Sequence, residues 1–188
     1  MEAEKSYAYR IDLDKISPFN GLRCAPVFGI DQIVASFVKV EGCNINQSDC
    51  VGNTPLVWAA SKEHERVVRI LLGRNDVSPG TLDKDDDTPL LLAAYNGHGG
   101  VVKMLLGRDD INPDKPNGLD LTPLLLAAYN GHEEVVKMLL GRDNVDSNQP
   151  EEGGQTPLCW VARNGQERAV NMLLGREDVN PGKPNNSG

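Results

Sequence analysis

The three histidines of the chain, His64, His98 and His132, stand 34 positions apart. Imidazole is the usual general base and a frequent metal ligand, so histidine chemistry here would have to come from these three side chains. A spacing of one long repeat places them on successive packed helices, which lie roughly 8–10 Å apart, too far to share one metal ion. Their predicted role is to satisfy backbone groups between neighbouring units. The four cysteines, Cys24, Cys43, Cys50 and Cys159, form no C-x-x-C pair and no dense framework, which predicts free thiols in a reducing compartment. Cys159 could meet a histidine from the preceding repeat, but the sequence supplies neither an orienting acid nor an oxyanion donor for nucleophilic catalysis. The run Asp83-Lys84-Asp85-Asp86-Asp87 offers carboxylates to a cation. It lacks the glycine and the closing glutamate of a calcium-binding EF-hand loop and reads as a solvated loop tip. Phosphate-loop, dinucleotide-binding and zinc-finger spacings are absent. No catalysis, cofactor or metal is expected.

The spacing of the histidines belongs to a larger pattern. TPLLLAAYNGH occupies residues 88–98 and again 122–132. Thr-Pro-Leu begins at Thr54, Thr88, Thr122 and Thr156, and Leu-Leu-Gly-Arg follows at 71–74, 105–108, 139–142 and 173–176, all in one 34-residue register. From Thr88 to Asp109 and from Thr122 to Asp143, 20 of 22 positions are identical. One register back, NGLRCAPVFGIDQIVASFV from Asn20 keeps the apolar and glycine positions in a worn form. Five units follow, at 20–53, 54–87, 88–121, 122–155 and 156–188, with residues 1–19 outside the register as an extension or partial cap.

Composition bounds the rest. The chain has 188 residues, with 27 acidic against 19 basic side chains and a formal charge of −8. Such a surface repels a phosphate backbone, so nucleic acid is not an expected partner. No run approaches the ~20 apolar residues that cross a bilayer, and MEAEKSYAYR has no basic segment leading into an apolar one. The expected location is the cytoplasm or nucleus, away from membranes.

Within each unit, Thr followed by Pro signals a helix start: the hydroxyl caps a backbone N–H, and proline occupies the first helical position, where no donor is missed. Leu90, Ala93 and Ala94 give that helix a small-residue face, and Asn96-Gly97 ends it with a residue that tolerates positive φ. Val101, Val102, Leu105 and Leu106 fall at the spacing of a second, amphipathic helix. The arginine of Leu-Leu-Gly-Arg suits the negative end of a helix dipole. The remaining residues of each unit, rich in Asp, Asn, Pro and Gly, predict a turn or hairpin loop.

Quoted in full, DCVGNTPLVWAASKEHERVVRILL and DKDDDTPLLLAAYNGHGGVVKMLL resemble the ankyrin repeat, a turn ending D-x-x-G-x, then T-P-L-H-x-A-A-x-x-G-H, then V-V-x-x-L-L. The resemblance covers about residues 20–188. Its Pro-bearing form is similar to repeats of large multidomain fungal proteins. It implies an all-α solenoid of about five helix-turn-helix units with projecting loops or short β-hairpins. Three departures stand out. The family's histidine after T-P-L is replaced by Val57, Leu91, Leu125 and Cys159, removing a polar link between units. The turn glycine, kept as Gly52 and Gly154, is replaced by Asp86 and Asp120. Leu-Leu-Gly-Arg also runs directly into the loop.

Function is then expected at positions that the scaffold leaves free. The resemblance places the two residues after Ala-Ala on a concave groove: Phe28, Lys62, Tyr95 with Asn96, Tyr129 with Asn130, and Arg163 with Asn164. Loop positions Lys84, Asp85, Asp87, Leu119, Leu121, Glu152 and Gln155 form its other wall. Aromatic and arginine side chains dominate binding hot spots, because they bury much area at low entropic cost. The expected activity is non-catalytic binding of a protein partner, drawn by the acidic loops to a basic patch of that partner. Residues 178–188 repeat the earlier loops up to the point where another Thr-Pro-Leu falls due. That open end predicts either a monomer or end-to-end association through the last unit, and makes membership of a larger array or assembly the alternative reading. Use of the groove by an enzyme or small-molecule binder is the remote third.

Overall fold

The computed structural model describes residues 44–182. Phe28, residues 1–19 and most of the first unit lie outside them. Among the described residues there are eight α-helices and no strand: α1 Pro55–Ser61, α2 Glu65–Leu72, α3 Pro89–Asn96, α4 Gly99–Leu106, α5 Pro123–Tyr129, α6 Glu133–Leu140, α7 Pro157–Arg163 and α8 Glu167–Leu174. The connections between pairs are loops, so of the two alternatives left open by the sequence it is loops that occur here.

Every first helix starts as its Thr-Pro predicts. The hydroxyls of Thr54, Thr88, Thr122 and Thr156 accept from the N–H of Val57, Leu91, Leu125 and Cys159 at 3.0–3.4 Å, and proline opens the helix. The first three caps are buried and the fourth partly so, and each buried one satisfies a donor that water cannot reach, worth about 1 kcal/mol. The first helices also end alike. His64, His98, His132 and Gln166 donate their backbone N–H to Ala59, Ala93, Ala127 and Val161, five residues back. That closure requires one left-handed residue, supplied by Gly97, Gly131 and Gly165, and in the first described pair by Glu63 at φ 59°.

Helices α1, α3, α5 and α7 stack in one row, and α2, α4, α6 and α8 in a second. The core runs between the rows through Leu56, Ala59, Ala60, Val67, Val68 and Leu71 and their equivalents in the next two pairs, and in the last pair through Val161, Ala169 and Leu173. Alanine at two successive positions of the first helices lets their backbones approach closely. Val57, Leu91 and Leu125, standing where the family carries histidine, are 1% exposed. Apolar burial occupies the place of the missing polar link.

Two further contacts sew the pairs together. His98 Nε2 lies 3.1 Å from the Ser61 carbonyl, and His132 Nε2 lies 2.9 Å from the Tyr95 carbonyl. Since a carbonyl only accepts, each ring carries its hydrogen on Nε2. The ring of His132 packs flat on Gly97, where an added Cβ would stand 2.5 Å from Nδ1. In the second row, the arginines serve the helix before their own. Arg108 Nη1 donates to the Leu72 carbonyl at 2.9 Å and Arg176 Nη1 to the Leu140 carbonyl at 2.7 Å, while Arg142 bonds the Leu106 carbonyl. Each guanidinium thus caps the end of the preceding outer helix, a cation on the negative end of its dipole. Asp110 and Asp178 hold the forks of Arg108 and Arg176 from two residues on, and those arginines in turn hold the two carboxyls below the usual carboxylate range.

The turn before each Thr-Pro-Leu closes on a single side chain. Asp83 Oδ1 accepts from the N–H of Asp85 and Asp87, as Asp49 does from Val51 and Asn53 and Asn117 from Leu119 and Leu121. The residue before its end is left-handed in every described turn: Gly52 at φ 85°, Asp86 at 61°, Asp120 at 58° and Gly154 at 79°. The missing glycines therefore do not alter the turn, and aspartate bears the steric cost at two of the four sites. Glycine should remove it. Asp86→Gly and Asp120→Gly are each expected to raise stability by about 0.5–1 kcal/mol, read as a higher urea midpoint at unchanged slope; a lower midpoint would show that the aspartates contribute something beyond the turn.

Candidate partner-binding surface

The predicted surface has two lines of residues, one at the ends of the first helices and one along the loop tips. At the helix ends, Lys62 and Arg163 are exposed. Tyr95 is 47% exposed and Tyr129 41%. The two tyrosines differ in their surroundings. Tyr129 meets Trp160 of the next pair edge-on, with centroids 5.2 Å apart and planes at 89°, a geometry that stabilises the stack itself. The neighbouring asparagines also bond inward: Asn96, Asn130 and Asn164 donate Nδ2 to the carbonyls of Leu92, Leu126 and Trp160 four residues back, and Asn130 reaches across to the Tyr95 carbonyl at 3.1 Å. Each thereby adds a side-chain bond near the end of its helix, in α5 and α7 to a carbonyl that already accepts the backbone N–H of the same asparagine.

Among the loop residues, Lys84, Asp85 and Glu152 are exposed, and Leu119 is 56% exposed. Leu121 and Gln155 are partly covered, with their backbone N–H groups engaged by Asn117 and Glu151. Successive tips are joined: Glu152 N–H donates to the Leu119 carbonyl at 3.3 Å, and Asn117 Nδ2 donates to Asp87 Oδ1 at 2.9 Å. Asp87 is thus a joint between loops. Burial raises its pKa from the ordinary 3.8 to about 6, helped by the like charges of Asp83, Asp85 and Asp86 and opposed by the Asn117 bond. The neighbouring tips leave Asp85, Asp86, Asp120 and Glu152 facing solvent, a carboxylate-rich edge.

The repetition of helix pairs, caps and interlocking side chains every 34 residues is matched by a sequence comparison. The family model described as ankyrin repeats in three copies covers residues 23–117 and 109–184. The chain belongs to the ankyrin-repeat family. Ankyrin repeats are in general protein–protein interaction modules and are typically non-catalytic. A search of curated proteins finds no match. None of the helices among the described residues is long and apolar enough to cross a membrane.

Several contacts on this side of the ankyrin stack were not foreseen from sequence. Trp58 donates its indole N–H to Asp49 Oδ2 at 2.8 Å, while Asp49 Oδ1 closes the turn. One oxygen serves the turn and the other the tryptophan. At the far end Trp160 stands in the same register as Trp58, and Glu151 in that of Asp49. Glu151 spends one oxygen on Gly153 and the other on Gln155, so the buried Trp160 Nε1 has no partner. The signal for this pair, a tryptophan nine residues after the turn acid, was present in sequence only as a spacing.

Two outcomes follow from these geometries. Glu151→Asp frees one oxygen for the indole and is expected to stabilise by about 1 kcal/mol, with no gain in a Trp160→Phe background; urea unfolding of the four proteins gives the cycle. Asp87 keeps its proton in the fold at pH values where the unfolded chain has lost it, so its contribution to stability falls as pH rises from about 4 to about 6. Asp87→Asn should therefore gain on the wild type across that window and hold the gain above it, by about 1 kcal/mol after discounting for solvent screening. A difference that does not change with pH would place the Asp87 pKa at its ordinary value.

Proposed function

We propose that this ankyrin array is a non-catalytic binding module whose protein partner docks across the ends of the first helices and the loop tips, presenting a basic patch to the loop edge. One observation carries the reading. Four large apolar side chains are exposed among the described residues, and three of them, Tyr95, Tyr129 and Leu119, stand at positions left free by the repeat. Exposed apolar anchors beside a charged rim are the pattern of a binding surface. Of these, Tyr95 is the anchor, since Tyr129 is partly spent on Trp160. Lys62 and Arg163 flank the tyrosines, while Asp85, Asp86, Asp120 and Glu152 supply the field that draws a basic partner before contact. Cys50 and Cys159 are free thiols, in keeping with a cytoplasmic or nuclear setting.

A second reading rests on the far end. The alanine of the last first helix, Ala162, is exposed where Ala60, Ala94 and Ala128 are fully buried, and Leu174 is 49% exposed. This face fits association with another unit or chain, within a larger assembly. Sedimentation of Leu174→Lys against wild type separates it from a monomer.

The main reading is tested by affinity capture with wild type, Tyr95→Ala/Leu119→Ser and Tyr129→Ala. A bound protein should be lost from the first variant, with affinity down by roughly 10–100-fold, and its association with wild type should slow as salt is raised. Tyr129→Ala should chiefly cost stability, about 1 kcal/mol. Retention of the same protein by Tyr95→Ala/Leu119→Ser would move the site elsewhere.

A further inference from the structure

Asn46, Asp114 and Asn148 occupy one register of the repeat, in the loops that follow the second helices, with Gly80 at the fourth position. Asn46 and Asn148 make the same pair of bonds to the loop of the next unit. The Asn46 side-chain oxygen accepts from the Ser78 N–H at 2.7 Å, and its Nδ2 donates to the Asp76 carbonyl at 2.6 Å. The Asn148 oxygen accepts from the Asn180 N–H at 2.7 Å, and its Nδ2 donates to the Asp178 carbonyl at 2.7 Å. An amide suits this place because it has one acceptor and one donor end.

Asp114 fills the place with a carboxyl. Its Oδ2 accepts from the Asp146 N–H at 2.6 Å, matching the acceptor end of the two asparagines. Its Oδ1 is buried and has no hydrogen-bond partner among the described residues. By register that oxygen stands where Asn46 and Asn148 carry Nδ2, and the group due opposite it is the Asn144 carbonyl, two residues before Asp146 as Asp76 is before Ser78. By that register two acceptors would meet here unless a proton lay between them, and an unsatisfied buried acceptor is costly.

We propose that Asp114 keeps its proton in the folded protein and donates it from Oδ1 to the Asn144 carbonyl, forming a latch between adjacent loops that loosens as pH rises. Protonated, the carboxyl reproduces both asparagine bonds. Ionised, it retains the Asp146 N–H but turns a second negative oxygen on a carbonyl. Two charged groups act on it from the packed loops: the Asp146 carboxylate, which favours the proton, and the Arg176 guanidinium, which opposes it. Arg176 is already divided among Asp178 and the carbonyls of Leu140 and Arg142. Burial is the largest influence on Asp114 and favours the proton, the Asp146 N–H bond to the carboxyl opposes it, and the Asp146 and Arg176 charges act more weakly in opposite directions.

The decisive measurement is the carboxyl carbon-13 titration of Asp114 in the labelled full chain, its signal assigned by its disappearance in Asp114→Asn. The expected midpoint lies above that of an ordinary aspartate. Asp114→Asn is expected to raise the folding equilibrium constant about fivefold near pH 7, with the gain vanishing at about pH 3, where the folded and the unfolded wild type both carry the proton. A midpoint at or below the ordinary value overturns the latch, as does a gain of equal size at both pH values, which marks an amide that merely packs better. If the variant fails to fold, the wild-type titration, assigned through backbone correlations, decides alone.

Discussion

Everything in this molecule depends on the inability of one helix pair to satisfy itself. A pair of seven- or eight-residue helices is too short to be stable alone in water, and it leaves one apolar face and several terminal carbonyls uncovered. The next pair supplies what is missing. Its alanines and leucines cover the face, its histidine reaches the carbonyl at the end of the first helix, and its arginine reaches the carbonyl at the end of the second. Stability is therefore a property of junctions more than of units, and it accumulates along the stack.

That constraint explains which residues are constant along the chain. His98 and His132 hold equivalent carbonyls, and in the same register the Gln166 amide lies against Gly131. Arg108, Arg142 and Arg176 serve three successive helix ends with one geometry. Gly97 and Gly131 are fixed twice over, by a left-handed backbone and by the side chain of the next pair lying against them. At Glu63 the same backbone is kept without glycine, and its carboxylate lies 3.6 Å from His98 Nδ1. The geometry of the junction is conserved along the array even where the residue type is not.

The fold was legible in the sequence because repetition converts weak local signals into a strong one. Thr-Pro, Ala-Ala, Asn-Gly and Leu-Leu-Gly-Arg each suggest little alone, and their shared 34-residue register fixes helix starts, ends and pairing together. What the register could not show was direction across a junction. The arginine suits the end of its own helix in sequence, yet it caps the helix before it while pairing with the acid two residues on; only the stacking geometry says which carbonyl lies within reach. Asp86 and Asp120 replace the turn glycine, yet two backbone bonds and two bonds to the turn's first side chain hold the left-handed residue in place in each loop. The candidate surface was legible by subtraction: positions not needed by the junction were named, and exposed Tyr95 and Leu119 are among them. Tyr129, Asn130 and Asp87 show the limit of subtraction, since a position that varies between units can still be recruited to a junction.

This recruitment shows how the array can leave side chains free for the proposed binding surface. Scaffold contacts run along the stack, from each pair to the next, through backbone carbonyls that every unit presents in the same place. Side chains such as Tyr95, Lys84 and Leu119 project across that direction and can change without opening a junction. Where a side chain does both, as Asp87 does through Asn117, its chemistry is altered by the burial that the junction imposes. If a partner covers the loop edge as proposed, it acts on a carboxyl whose pKa burial already raises, and binding and stability are then coupled at that one residue.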